Sequence, residues 1–275
     1  MSSAALPLAL LVVLVELTVG TLWVLLLPQA RRNAAASFIK FSAVLVFIMA
    51  AITFFLGSGI SVGASVDGYQ LDNFWMLEAR SALVALFAAS GLYAYATYRD
   101  HRVAELVIGG IAGVCGLAVL GSLAAVFSIP TWGFPLVLAS FVLGAIAVGA
   151  VTNGMILGHW YLVTPRLPEQ PLRQITGLLV VVLVVQALFI VLALLLPHDS
   201  LPLSSVQTGI LSNLFFWLRV GLGLGFPAVL AWMAYDCSRA RAMQSATGLL
   251  YLAMVLVICG EVVANGLLFV SAVPN

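Results

Sequence analysis

The chain has 275 residues, of which 63% are hydrophobic and 8% charged, with a formal net charge of +1. Soluble domains carry about 25% charged residues, so a chain this apolar cannot coat a water-soluble globule and must lie mostly in a bilayer. The near-neutral balance excludes a strong electrostatic pull on nucleic acid. Cys115 and Cys259 fall in apolar runs and Cys237 among basic residues, which argues against a disulfide framework.

A membrane span needs about 20 apolar residues. Runs at roughly 6–28, 38–58, 74–97, 104–127, 134–162, 173–196, 207–234 and 244–270 meet that test. The prediction is an all-α integral membrane protein with eight transmembrane helices. Met1 to Leu10 holds no lysine or arginine, so the first run lacks the basic start of a signal peptide and reads as a retained span. The breaks carry turn chemistry, as in Gly57-Ser58-Gly59, Pro130-Thr131-Trp132-Gly133, Pro165-Arg166-Leu167-Pro168 and Pro197-His198-Asp199. None is long enough for a domain, so 1–275 reads as a single membrane domain.

Basic residues set the orientation. The first-to-second loop holds Arg31, Arg32 and Lys40, and the third-to-fourth Arg99 and Arg102. The fifth-to-sixth holds Arg166 and Arg173, and the seventh-to-eighth Arg239 and Arg241. The remaining loops and both tails hold none. The expectation is that these four loops are cytoplasmic, that both termini are not, and that the protein resides in the cell (inner) membrane. Only Arg80 and Arg219 are left, and both fall inside predicted spans.

An internal repeat is also expected. Arg80 and Arg219 share their separation with Arg102 and Arg241, with Gly109 and Gly248, and with Gly121 and Gly260. A slightly shorter offset superposes Trp23, Leu25 and Pro28 on Trp160, Leu162 and Pro165. These matches suggest two parallel four-helix repeats, 1–130 and 131–275, related by an axis along the membrane normal. Gly109-x3-Gly113, Gly154-x3-Gly158 and Gly221-x3-Gly225 are candidate points of close helix approach.

The strongest chemical signal is Arg219, in the run Leu214-Phe215-Phe216-Trp217-Leu218-Arg219-Val220-Gly221. A charge at the centre of a span costs about 2.5 to 3.5 kcal/mol on insertion scales, so it calls for a partner. At about 1.5 Å per residue, Glu16, Arg219 and Glu261 fall at one depth, about 15 Å below the outer surface. Gln186 reaches a similar level, and Asn265 lies one turn from Glu261 on the same face. Arg80 is shallower, with Glu78 beside it. The reading is an ion-pair cluster of Glu16 and Glu261 against Arg219, with Arg80 at its outer edge. Arginine's planar fork also suits a carboxylate or other oxyanion.

A second candidate closes the fifth span, where Asn153, His159 and Trp160 would line a cofactor pocket. His159 is a possible proton carrier, haem ligand or quinone partner, or an interfacial histidine in an aromatic belt. A haem between two histidines needs both at one depth. His198 lies on the outer side, and His101 sits in the short Arg99-Asp100-His101-Arg102 loop. The four-plus-four layout is similar to that of the haem A synthase family. The paired intramembrane histidines of that family are missing here, so its function does not carry over. There is no Walker loop and no HExxH. Gly221-Leu222-Gly223-Leu224-Gly225 lies in a span and is expected to serve packing or bending, helped by Pro227.

These residues point to a multi-pass protein that handles a small solute or ion, such as a proton, at a buried Arg/Glu site between its halves. The alternatives are a quinone- or haem-linked subunit of a redox complex, and a scaffold or assembly factor. The expected partners are the lipid bilayer, the solute or proton, and other membrane-complex subunits. The cofactor and any enzymatic step are left open.

Overall fold

The computed structural model describes residues 5–60, 65–66, 69–70, 73–99, 101–128, 133–164, 167–195 and 213–271. The helices are α1 (Ala5–Arg31), α2 (Ala36–Ser58), α3 (Asn73–Tyr98), α4 (Arg102–Phe127), α5 (Gly133–Val163) and α6 (Gln170–Leu195). The seventh span, Leu214–Arg239, comprises α7 (Leu214–Leu218), a π-helical segment (Arg219–Gly225) and α8 (Phe226–Arg239), and α9 (Met243–Ser271) is the eighth span. Among the described residues, eight helices are thus long and apolar enough to cross a membrane. A two-residue antiparallel ladder, β1 (Ser65–Val66) with β2 (Tyr69–Gln70), lies in the α2–α3 connection.

Seven of the spans match their apolar runs closely. The seventh was expected at 207–234 but is described as a helix from Leu214 to Arg239. Residues 207–212 lie outside the described residues. At the other end, Asp236, Ser238 and Arg239 continue the helix past its apolar run. Hydropathy cannot locate that end, because a helix persists into the polar interface as long as its backbone hydrogen bonds are made.

The helices are built inside out relative to a soluble bundle. α4 buries Gly109, Ala112, Gly113, Gly116 and Leu120, and exposes Val103, Val107, Ile111 and Val114. Lipid solvates large apolar side chains as well as a protein core does, so helices associate through small residues that let backbones approach. α1 and α5 are the central pair, and each is buried around most of its circumference. Their contact is backbone to backbone. A Cβ built on Gly20 would lie 1.7 Å from the Ala145 carbonyl oxygen, and one on Gly149 would lie 2.1 Å from the Gly20 carbonyl.

α1, α2, α3 and α4 pack in a closed ring, each on the next and α4 back on α1. α5, α6, α8 and α9 close a second ring in the same order. α1 on α5 joins the two, flanked by α1 on α9 and α4 on α5. The loops that hold the arginines gather at one end. Arg102 Nη2 donates to the Ala30 carbonyl at 2.7 Å, Asn33 Nδ2 to Gln174 Oε1 at 3.1 Å, and Arg241 pairs with Glu169.

Of the three Gly-x3-Gly segments, two pack as expected. Gly109 makes room for Leu26 and Tyr93, Gly113 for Trp23, and Gly158 for Thr247. In the third, a Cβ on Gly221 would meet nothing within 4 Å. The contact falls on Gly223 instead, whose Cα lies 2.5 Å from a Cβ built on Gly260. The π segment accounts for this shift. Proline at 227 has no N–H to give the Gly223 carbonyl, and its ring would clash with that carbonyl in an α-helix. The backbone widens, and the Phe226 N–H bonds the Gly221 carbonyl five residues back.

Candidate functional site

Periodicity brings the polar residues inward. On α9 the buried stripe Ala246, Leu250, Ala253, Val257 continues through Glu261 and Asn265. On α6 the stripe Leu179, Leu183, Ile190 contains Gln186, and on the seventh span Phe216 precedes Arg219 by three residues. A helix whose apolar face is interrupted by a polar residue at the same spacing must carry that residue into the core.

There they meet. Arg219 Nη2 donates to Glu261 Oε1 at 3.2 Å, and Gln186 Nε2 donates to the same oxygen at 2.8 Å. Asn265 Nδ2 donates to Glu16 Oε2 at 3.1 Å and to the Glu261 main-chain carbonyl at 3.1 Å. Arg219 is the largest fully buried side chain at 0% exposure, and Glu16 and Glu261 are 1% and 2% exposed. The cluster thus joins α1, α6, the π segment and α9, and so spans both rings.

Gly144 on α5 completes it, a residue that the sequence did not single out. A Cβ built there would lie 2.8 Å from Glu16 Oε1 and 2.9 Å from Glu261 Oε2. The two carboxylates therefore crowd one notch that exists only because position 144 has no side chain. The guanidinium fits a second notch: Nη1 lies 3.1 Å from a Cβ built on Gly260 and 3.3 Å from one on Gly223. Among the described residues, Arg219 Nε, Arg219 Nη1 and Gln186 Oε1 have no hydrogen-bond partner although buried.

Arg80 does not join this cluster. Its Nη2 donates to the main-chain carbonyls of Ser58, at 3.4 Å, and Ile60. These carbonyls lie at and just beyond the C-terminus of α2, where orphaned acceptors and the helix dipole favour a cation. Glu78 is exposed. The shallower depth expected for Arg80 is consistent with this placement, which puts it out of the cluster's reach.

Asn153, His159 and Trp160 are not brought to one pocket. Asn153 is fully buried and Nδ2 donates to the Thr21 and Gly149 carbonyls, both at 2.9 Å, which ties α5 to α1. Trp160 packs on Phe38 and Phe41. His159 is exposed, and its Nδ1 lies 3.4 Å from the Tyr251 hydroxyl. Six residues of α-helix turn a side chain by about 240°, so His159 cannot share the face of Asn153.

At the basic end, Tyr93 donates to Gln29 Oε1 at 2.7 Å, and Gln29 Nε2 donates to Glu105 Oε2 at 2.8 Å. Glu105 is held there by a neutral amide. Glu169 pairs with Arg241. Its carboxyl lies below the ordinary glutamate range, held there first by a backbone N–H and then by the Arg241 guanidinium. Among the described residues, no group of three or more His, Cys, Asp or Glu side chains is placed to hold a metal.

The eight apolar helices define an all-helical, multi-pass membrane protein. No family model, no curated protein and no solved structure matches the chain.

Proposed function

We propose that the protein handles a small solute or ion at the Arg219–Glu261–Glu16 cluster, between two four-helix halves. The observation that carries this reading is the unfinished hydrogen bonding of a fully buried arginine. A purely structural network would close on itself, since each unsatisfied buried donor costs about 1–3 kcal/mol and more when charged. This one leaves Arg219 Nε and Nη1 over. Each is a separate donor for an oxyanion or a small anion, because Nη1 lies on the Cδ side of the guanidinium and the Nε–H on the other.

Position supports the reading. Sites in duplicated transporters lie at the repeat interface near the bilayer midplane, and ionisable groups within spans are functional by default. The same order of packing in the two rings supports a duplicated unit, with halves 1–130 and 131–275. The gathering of Arg31, Arg102, Arg173 and Arg241 near one end supports a cytoplasmic location for that end, with both termini on the opposite side, in the cell (inner) membrane. The π segment adds a further argument, because π-bulges are frequent at functional sites.

The test is electrical. The purified chain in proteoliposomes on a solid-supported membrane is given concentration jumps of chloride, acetate or phosphate. A transient current in the wild type that is lost in Glu16→Gln and Arg219→Gln, with both variants still monodisperse in detergent, supports the site. Equal currents in wild type and both variants overturn it.

A further inference from the structure

We propose that Glu16 holds an exchangeable proton, and that this proton is the particle coupled to the solute at the Arg219 site. The second half of the proposal rests on the reading of the cluster as a transport site. The first half stands on the geometry alone.

The donors in the cluster are shared unequally. Glu261 Oε1 receives both the guanidinium of Arg219 and the amide of Gln186. A proton on that oxygen would oppose two donors. Glu16 receives only the neutral amide of Asn265, at Oε2. Arg219 is within electrostatic reach of Glu16 but hydrogen-bonds Glu261. Glu16 is therefore the acid left without a hydrogen-bonded cation of its own.

Charge counting gives the same result. Two carboxylates and one guanidinium are sealed in one cluster, and a buried charge without a partner is strongly disfavoured. One proton makes the cluster neutral. The charged or titratable groups that face Glu16 are Glu261 from α9 and Arg219 from the π segment. Beside Glu16, α5 presents Gly144, while Gly116 of α4 meets Val19 and the Thr53 hydroxyl of α2 meets that of Thr18 on neighbouring positions of α1. Lys40, Glu105 and His159 lie at the basic ends of those helices. No second cation among the described residues competes for the role.

The place for the proton is defined. Among the described residues, Glu16 Oε1 and Glu261 Oε2 accept no hydrogen bond, and these are the two oxygens that border Gly144. A proton added to Glu16 Oε1 faces the free oxygen of Glu261. The step is the addition of one aqueous proton to a carboxylate and its later loss to the opposite aqueous phase. No other bond changes, and no oxidant or reductant is needed. When the proton leaves, the cluster regains a negative charge, which changes how Arg219 is shared between Glu261 and a bound anion.

The test is infrared spectroscopy of the full-length protein in lipid nanodiscs at neutral pH. The expected result is a protonated-carboxyl C=O band that shifts in deuterium oxide and is absent from Glu16→Gln. Asn265→Leu removes the donor on Oε2, so the same band moves to higher frequency, which decides the assignment even if Glu16→Gln fails to fold. A wild type without the band, or a band unmoved in Asn265→Leu, overturns the proton site. For coupling, the anion-jump current of wild-type proteoliposomes should change with an imposed pH gradient, and a current indifferent to that gradient overturns it. Absence of any current overturns the transport reading instead, and leaves the band to decide the proton site.

Discussion

Arg219 Nη2 and Glu261 Oε1 are 3.2 Å apart with side-chain exposures of 0% and 3%. Breaking such a pair from one side leaves an uncompensated buried charge and costs about 3–5 kcal/mol. Replacing both partners with apolar residues of similar volume removes the charge itself. Arg219→Met alone should therefore lower the thermal unfolding midpoint in detergent sharply, and Arg219→Met with Glu261→Met should recover much of the loss. A double variant less stable than the single one would show that the pair itself stabilises the fold.

Gly144 and Gly121 make a matched comparison. A methyl at 144 would press on both carboxylates at 2.8 and 2.9 Å, whereas one at 121 meets nothing within 4 Å. Overpacking costs about 1–3 kcal/mol, while a glycine-to-alanine change in an open helical position gains about 0.5–1 kcal/mol. Gly144→Ala is thus expected to lower stability and the anion-jump current, and Gly121→Ala to leave both intact or improve stability. Equal behaviour of the two variants would contradict the convergence of Glu16 and Glu261 on α5.

The Glu169–Arg241 pair joins the loops after α5 and α8. Glu169 sits below its ordinary range in the folded protein. Its contribution to stability is therefore complete above the ordinary glutamate range and is lost as pH falls through the lowered folded value. Glu169→Gln should lower the neutral plateau slightly and leave the acid end unchanged, which flattens the acid limb of a stability-versus-pH curve. Because the pair is solvent-accessible, high salt should shrink the difference. Unfolding midpoints between pH 3 and pH 7 measure this.

The orientation has its own test. In a background with Cys115, Cys237 and Cys259 replaced by alanine, single cysteines at Arg32 and at Gly59 flank α2 beyond its two opposite ends. In whole cells a membrane-impermeant maleimide should label Gly59→Cys and spare Arg32→Cys until the membrane is opened. The reverse pattern would invert the assignment of the basic end.

Much of this molecule was legible before its fold. Apolar runs of about 20 residues located the helices, because a span must satisfy its backbone internally over the thickness of the hydrocarbon. Arg219 announced a cluster, since a charge in such a run needs a neutralising partner. Rise per residue put Glu16, Gln186 and Glu261 at its level, and all of them are in the cluster. Arg80 was expected at the outer edge of the cluster, but carbonyls at and just past the end of α2 hold its guanidinium instead. Spacing did not reveal Gly144 either, since a glycine among glycines has no pattern of its own.

The amino-acid sequence by itself determined the class of this protein and the level of its buried charges, since both follow from hydropathy and helical rise along one chain. Only the tertiary structure decided that Glu261 rather than Glu16 takes the guanidinium, that Gly144 brings the two acids together, and that Asn153 and His159 part company. Those outcomes depend on how helices rotate and how closely their backbones approach. Both are set by packing between segments far apart in sequence, which no local pattern encodes.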